Sequence, residues 1–211
     1  MSGQNGAVSV DVYFDFLCPW AFRGSEWLRD VQAQLGPDKL KINWRYFPLD
    51  QVNSDQGPEW KLWEQPLENE TRGLAMFRAA VAARKQDQGE KFEKFHQLMF
   101  QTRHGEFTID GERPTERQLA EIAGLDLAQF DRDLEDRSLL SSIGADYEHA
   151  RSEIGVFGVP TLVFENNEAA YIKLLPKPEA DEAVSVWNEV YQTIAKRPNI
   201  HEIKRPSSPK A

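Results

Sequence analysis

Apolar and polar positions alternate over residues 8–16. Val8, Val10, Val12 and Phe14 fall on one side, and Ser9, Asp11, Tyr13 and Asp15 on the other. A period of two in β-branched and aromatic residues predicts a strand. Leu17, Cys18, Pro19 and Trp20 follow, and Pro19 suits the first helical position, where its missing N–H costs nothing. Phe22, Trp27, Leu28, Val31 and Leu35 continue at helical spacing until Gly36-Pro37 stops the helix. Alternation returns over residues 41–49, with Ile42, Trp44 and Tyr46 on one side and Pro48 ending the run. Strand, helix and strand with so short a crossover predict a βαβ unit with parallel strands.

The middle of the chain has a different pattern. Residues 51–71 are polar, hold Pro58 and Pro66, and read as loop. Residues 72–103 read as helix, with Gly89 separating two halves. Thr115 and Gln118 fit a capping box ahead of Leu119, Ile122 and Ala123, and Gly124 closes that helix. Residues 126–134 predict a short helix and residues 138–154 a longer one ended by Gly155. No strand signal interrupts this block. Residues 156–164 return to β pattern. Asn166-Asn167 can turn a hairpin into a partner strand at residues 169–175, and a last helix spans residues 179–196 after Pro178. The predicted organisation is a first α/β half over residues 7–50, an all-helical insertion over 51–137, a second α/β half over 138–196, and a proline-bearing tail over 197–211. The fold class is α/β with a mixed sheet.

Composition narrows the classes. The chain has 211 residues, 40% of them hydrophobic, which is enough for a core without disulfides or metals. Its net charge of −9 disfavours nucleic acid and anionic membrane surfaces as partners. The single cysteine excludes an intramolecular disulfide and any Cys-based zinc site, and the histidines show no metal-ligand spacing. The first residues carry neither the basic nor the apolar segment of a signal peptide, and no run is long enough to span a membrane, so a cytoplasmic protein is expected.

Cys18 stands where the first strand meets the first helix. The unpartnered N–H groups of the first turn and the helix dipole favour a thiolate there, so a lowered pKa is expected. A lone cysteine is also commonly a small buried hydrophobe, and position alone does not separate the two readings. The histidines 96, 104, 149 and 201 read as surface or hydrogen-bonded helix residues. The charges at 90–94 and 126–136 read as solvated helix faces. Trp44, Trp60 and Trp63 read as packing residues, the last two in a loop that could also touch a ligand.

Two segments together resemble a known family. Asp15-Phe16-Leu17-Cys18-Pro19-Trp20-Ala21-Phe22 and Gly155-Val156-Phe157-Gly158-Val159-Pro160-Thr161 are similar to the two signatures of the DsbA-like thioredoxin superfamily. The resemblance implies a thioredoxin fold with a large helical insertion, Cys18 as the attacking thiol, a cis-proline at Pro160, and a substrate groove shaped by Pro19, Trp20, Ala21, Val159 and Pro160. The family's second cysteine falls at Ala21, so the implied chemistry is thiol–disulfide oxidoreduction of monothiol type, with a thiol or disulfide substrate and release by an external thiol. The frame Asp15…Cys18-Pro19-Trp20 also resembles 2-hydroxychromene-2-carboxylate isomerases and kappa-class glutathione transferases. That branch implies dependence on glutathione or another low-molecular-weight thiol with no tightly bound cofactor, and a homodimer. A non-catalytic thioredoxin-fold binding module is the third reading.

Overall fold

The structure is a computed structural model that describes residues 7–87 and 89–205. β1 (Val8–Phe14) pairs in parallel with β2 (Leu40–Tyr46), with Val8 opposite Leu40 and Phe14 opposite Tyr46. The helix α1 (Pro19–Leu35) makes the crossover and ends at Gly36, whose φ of +89° suits a residue without a side chain. β3 (Thr161–Phe164) runs antiparallel to β1, and β4 (Ala169–Tyr171) antiparallel to β3. The sheet order is β2-β1-β3-β4, so β1 is flanked on both edges. That explains a departure from simple alternation: Tyr13 and Asp15 are as buried as Val12 and Phe14, because both faces of β1 are covered.

The edge strand β2 is shielded by side chains. Arg84 donates to the Trp44 carbonyl at 2.8 Å, and the Tyr46 N–H donates to Asp146 Oδ2 at 3.0 Å. Open backbone groups on that edge are thereby satisfied in part.

Between β2 and β3 the chain is almost wholly helical. It forms α2 (Leu49–Val52), α3 (Arg72–Gln86), α4 (Glu90–His104), α5 (Glu116–Ile122), α6 (Leu127–Glu135) and α7 (Ser141–His149). The region expected as loop holds α2 and two 3₁₀ turns, Leu62–Glu64 and Leu67–Asn69. The capping box is present: Thr115 Oγ1 accepts the Gln118 N–H, and Gln118 Oε1 accepts the Thr115 N–H. A hairpin absent from the sequence expectation lies at Ile109–Glu112, turned by Asp110 (φ +52°) and Gly111 (φ +82°). The predicted long helix over 138–154 is instead a 3₁₀ turn, α7 and a π turn (Ala150–Ile154), closed by Gly155 in the left-handed region.

The predicted strand over 156–164 is shorter at its start, because residues 156–160 leave the sheet as a loop. Asn167 adopts a φ of +61°, as its place in the hairpin requires. The last helix is a 3₁₀ turn followed by α8 (Ala183–Ile194). In the tail, Ile200 and Ile203 are exposed, and residues 206–211 lie outside the described residues. No helix among the described residues is long and apolar enough to cross a membrane.

Two aromatic clusters hold the layers together. Phe14, Phe16, Phe77, His96 and Phe100 join the sheet to α3 and α4, with Phe14 and His96 ring centroids 4.6 Å apart and Phe16 and Phe100 5.0 Å apart. Trp27 of α1 and Trp187 of α8 pack at 6.1 Å, and Trp27 Nε1–H donates to the Ala183 carbonyl at 3.1 Å. Both tryptophans are fully buried. Trp187→Ala is therefore expected to destabilise the fold by about 3–5 kcal/mol, read as a lowered midpoint in urea denaturation.

Candidate active site

Cys18 is the N-cap residue of α1, and Pro19 opens the helix. The loop that delivers it is held by Asp15. The Asp15 carbonyl accepts the Cys18 N–H at 3.1 Å. Its carboxylate accepts the Leu17 N–H on Oδ1 and the Leu49 N–H on Oδ2, both at 2.7 Å. One side chain thus ties the loop before α1 to the loop after β2. Burial pushes the Asp15 carboxyl up to about 6 from an ordinary 3.8, the two backbone N–H groups pull it down, and Asp50 adds to the rise.

Across the site, residues 156–160 bring Val159 and Pro160 against the thiol. The Val159–Pro160 peptide bond is cis, and Cys18 Sγ–H donates to the Val159 carbonyl at 3.3 Å. Gly24, a turn and a half into α1, faces Pro160: a β-carbon there would lie 3.0 Å from Pro160 Cγ. Ala21 is buried and lies one turn beyond Cys18. Cys18, Trp20, Ala21, Val159 and Pro160 are therefore gathered at one place, and Pro19 is exposed beside them. A second cis bond, Leu175–Pro176, lies past β4.

The expected low pKa of Cys18 is not what this geometry favours. Burial raises the thiol above its ordinary value, and the Asp15 charge adds to the rise. The N–H groups of Ala21 and Trp20 and the Lys173 ammonium lower it, without reversing the direction. The helix start is present, but Cys18 is only 6% exposed, and desolvation of the thiolate outweighs the helix dipole. The resting group is a thiol that donates a hydrogen bond.

Around the sulfur the surface is aromatic and cationic. Lys173 Nζ lies 5.2 Å from the Trp20 ring centroid and the Arg23 guanidinium 4.9 Å from it. Phe157, 65% exposed, packs edge-on to Tyr171 at 5.3 Å. Lys173, Arg23 and Phe157 were not picked out as site residues by sequence reasoning. Lys173 comes from the chain just past β4, Arg23 from the first turns of α1, and Phe157 from the loop before β3.

Several surface expectations are corrected. His96 is fully buried, stacked on Trp44 at 4.2 Å, with Nδ1 2.7 Å from Arg29 Nη2 and Nε2 without a partner. Burial holds its imidazole well below the ordinary range, and Arg29 and Arg84 act the same way. His104 is half-buried, with Nε2 2.8 Å from the Phe16 carbonyl. Glu93 is not simply solvated, because it pairs with Arg29 at 3.0 Å and accepts the Trp44 indole N–H at 2.8 Å. Asp133 is buried and bonded to Lys85 at 2.7 Å, and Asp126 caps α6. Trp63 packs on Tyr147 at 5.6 Å. Among the described residues no group of three or more His, Cys, Asp or Glu side chains is placed to hold a metal ion.

A mixed four-stranded sheet, a cysteine at the first helix start and a facing cis-proline define a thioredoxin-type scaffold, here with helices inserted between β2 and β3. The chain belongs to the family of the DSBA-like thioredoxin domain, whose model matches residues 9–175. It is 29% identical to the uncharacterized protein Rv2286c of Mycobacterium tuberculosis over 204 residues, covering 95% of this chain and 83% of that protein. A structure titled a "probable DsbA oxidoreductase" from Streptomyces coelicolor superposes with a TM-score of 0.58 at 16% identity, covering 97% and 95% of the two chains. A 2-hydroxychromene-2-carboxylate isomerase gives 0.59 at 19% identity, covering 90% and 97%. These structural likenesses carry the fold.

Asp15 makes stability depend on pH with a known sign. Its folded-state value, about 6, lies above 3.8, so the native state holds the proton more tightly. The stabilising contribution is complete below about pH 4 and is lost as pH rises through about 6, by roughly 3 kcal/mol. Urea denaturation between pH 4 and 7 is expected to show this fall in the parent chain. Asp15→Asn, which cannot titrate, is expected to make the slope shallower, Glu26 and Asp146 with their own raised values supplying part of the rest, while lowering overall stability through the acceptor it loses.

Proposed function

We propose that this chain is a monothiol thiol–disulfide exchange protein with Cys18 as its nucleophile. The observation that supports the reading best is a lone sulfur at the start of α1, against the Val159 carbonyl, with buried Ala21 where a resolving thiol would have to stand. Cys18–SH attacks a disulfide R–S–S–R′, giving Cys18–S–S–R and R′–SH. The sulfur loses its proton as the new bond forms, and the leaving sulfur gains one. A low-molecular-weight thiol R″–SH then attacks R, restoring Cys18–SH and releasing R–S–S–R″. Each step conserves electrons, and an external thiol is required to close the cycle.

The raised pKa bears on direction. A strongly oxidising dithiol site depends on stabilising its thiolate. Here burial disfavours that form, so Cys18 is a strong nucleophile once ionised and a poor leaving group. Such a sulfur suits accepting a group from a substrate disulfide, and its release to a small thiol depends on groups that stabilise the departing Cys18 thiolate. Lys173 and the N–H groups of Trp20 and Ala21 are the groups available to hold the transient thiolate.

A second reading draws on the same hydrogen bond. A protonated Cys18 could serve as donor to a bound small-molecule thiolate in an isomerase or transferase, with no mixed disulfide formed. Cys18→Ser separates the two. Exchange with a glutathione-based mixed disulfide is expected to vanish in this variant, whereas a hydroxyl donor would sustain the isomerase-type activity. Iodoacetamide alkylation of the parent chain is expected to be slower at pH 7 than that of a free cysteine, and to keep rising above pH 9, where a free thiol of pKa about 8.5 levels off. Rapid alkylation that levels off below pH 7 would refute the buried-thiol account. Ala21→Cys is expected to gain dithiol reductase activity against insulin, checked by its precipitation with dithiothreitol.

A further inference from the structure

A cleft of about 50 Å³ lies between the start of α3, the end of α4 and the loop before α5, lined by Arg72, Arg103, Arg113, Thr102 and Glu116 with apolar neighbours. Two of its lining residues are next in sequence to residues that touch the Cys18 loop. Arg72 precedes Gly73, where a β-carbon would lie 3.2 Å from Leu17 Cδ1. Arg103 precedes His104, whose ring bonds the Phe16 carbonyl. Arg113 follows the tight Ile109–Glu112 hairpin and precedes buried Pro114 and the Thr115 cap, so its backbone is fixed.

The cleft gathers three arginines in one lining. Among the described residues Arg29, Arg45, Arg78, Lys85 and Arg117 each have a carboxylate partner. Arg72, Arg103 and Arg113 have none, although Glu116 lies in the same lining and the chain carries a net charge of −9. Arg103 Nε and Thr102 Oγ1 are buried with no hydrogen-bond partner. Two polar groups withdrawn from water and left unsatisfied are costly unless something completes them. The guanidinium of Arg103 is moreover disfavoured by burial and by Arg72 and Arg113 beside it.

We propose that this cleft binds an oxyanion group, a carboxylate or phosphate, carried by the thiol or disulfide that reacts at Cys18. The inference deepens the exchange reading and rests on it for the identity of the ligand, though not for the existence of the anion site. The small volume admits one such group and little more. The arginines supply planar, always-charged forks suited to it, and Thr102 and Arg103 supply the unsatisfied donors. Arg23 and Lys173, on the Trp20 side of the sulfur, extend the positive field. The substrate class is therefore an anionic low-molecular-weight thiol or its disulfide.

Three disulfides of similar length and different charge test this: 3,3′-dithiodipropionate (anionic), bis(2-hydroxyethyl) disulfide (neutral) and cystamine (cationic). Cys18 is expected to react with the anionic probe about tenfold faster than with the neutral one, and slowest with the cationic one. Arg103→Gln, and separately the exposed Arg113→Gln, are expected to erase most of that preference. Equal rates for all three probes in the parent chain, or a preference unaltered in both variants, would overturn the inference. A second measurement does not use the thiol. In Cys18→Ser, inorganic phosphate is expected to raise the Tm above that in chloride of matched ionic strength, and to lose this effect when Arg103 or Arg113 is replaced. No difference between the two salts would overturn the anion site, since ionic strength alone would then account for the response. Phosphate stabilisation without any reaction of Cys18 with the probes would leave the site standing and refute the exchange reading.

Discussion

The Asp15 carboxylate is the constraint on which the site depends. It is buried, it is ionised at neutral pH, and each of its oxygens is committed to a different loop, one through Leu17 and the other through Leu49. Removing a carboxylate from water is unfavourable, and two short charge-assisted bonds offset only part of that. The gain is positional. With the 15–18 segment tied to the end of β2, Cys18 has no freedom to leave the helix start, and the Val159 carbonyl can meet its sulfur across the sheet. Charge on Asp15 also reaches Cys18 and keeps its proton in place. The same residue therefore fixes where the thiol sits and contributes to how readily it ionises.

That second effect marks the limit of reasoning from position along the chain. A cysteine followed by proline at a helix start was readable from residues 15–22, and so was the expectation of a helix-stabilised thiolate. Depth was not readable. Whether a helix N-terminus lowers a pKa depends on whether the sulfur stays hydrated. Here Val159, Pro160 and the α1 backbone close over Cys18, leaving it 6% exposed. The helix start and the burial oppose each other, and burial prevails.

Elsewhere, legibility followed the range of the interactions. Strand and helix periods, the Thr115 capping box, the Asn166-Asn167 turn and the closing role of Gly155 are local, and they were visible in the pattern of residues. The burial of Tyr13 and Asp15 was not, because a period of two assigns one face to water, whereas β1 is the inner strand between β2 and β3 with helices on both faces. Glu93 looked like part of a solvated helix face, and His96 like a surface or hydrogen-bonded helix residue. Both are drawn inward by Arg29, a partner more than sixty positions away. The Asp110-Gly111 turn was missed because its flanking residues form a single bridge pair, too short to register as strands.

Some cations tie elements of the fold together, and others stand near the Cys18 loop or line the cleft behind it. Arg78 with Glu70, Lys85 with Asp133 and Arg45 with Asp11 are partnered, and join elements of the insertion or edge of the sheet. Arg23, Arg72, Arg103, Arg113 and Lys173 have no carboxylate within ion-pair distance among the described residues; Arg23 and Lys173 lie against Trp20, and the other three line the cleft. Arginines elsewhere, such as Arg137 and Arg151, which bond backbone carbonyls, also lack a carboxylate partner among the described residues, so the positive potential here comes from three guanidinium groups sharing one cleft. A thiol held protonated by burial gains most from such a field when a ligand closes the site. Water then leaves, the local dielectric falls, and Lys173 and the first-turn N–H groups act on the sulfur with less screening. On that reading an anionic substrate would supply its own affinity through the arginines, and reaction at Cys18 would follow occupancy of the site, which separates this monothiol arrangement from a site whose thiolate stands ready at all times.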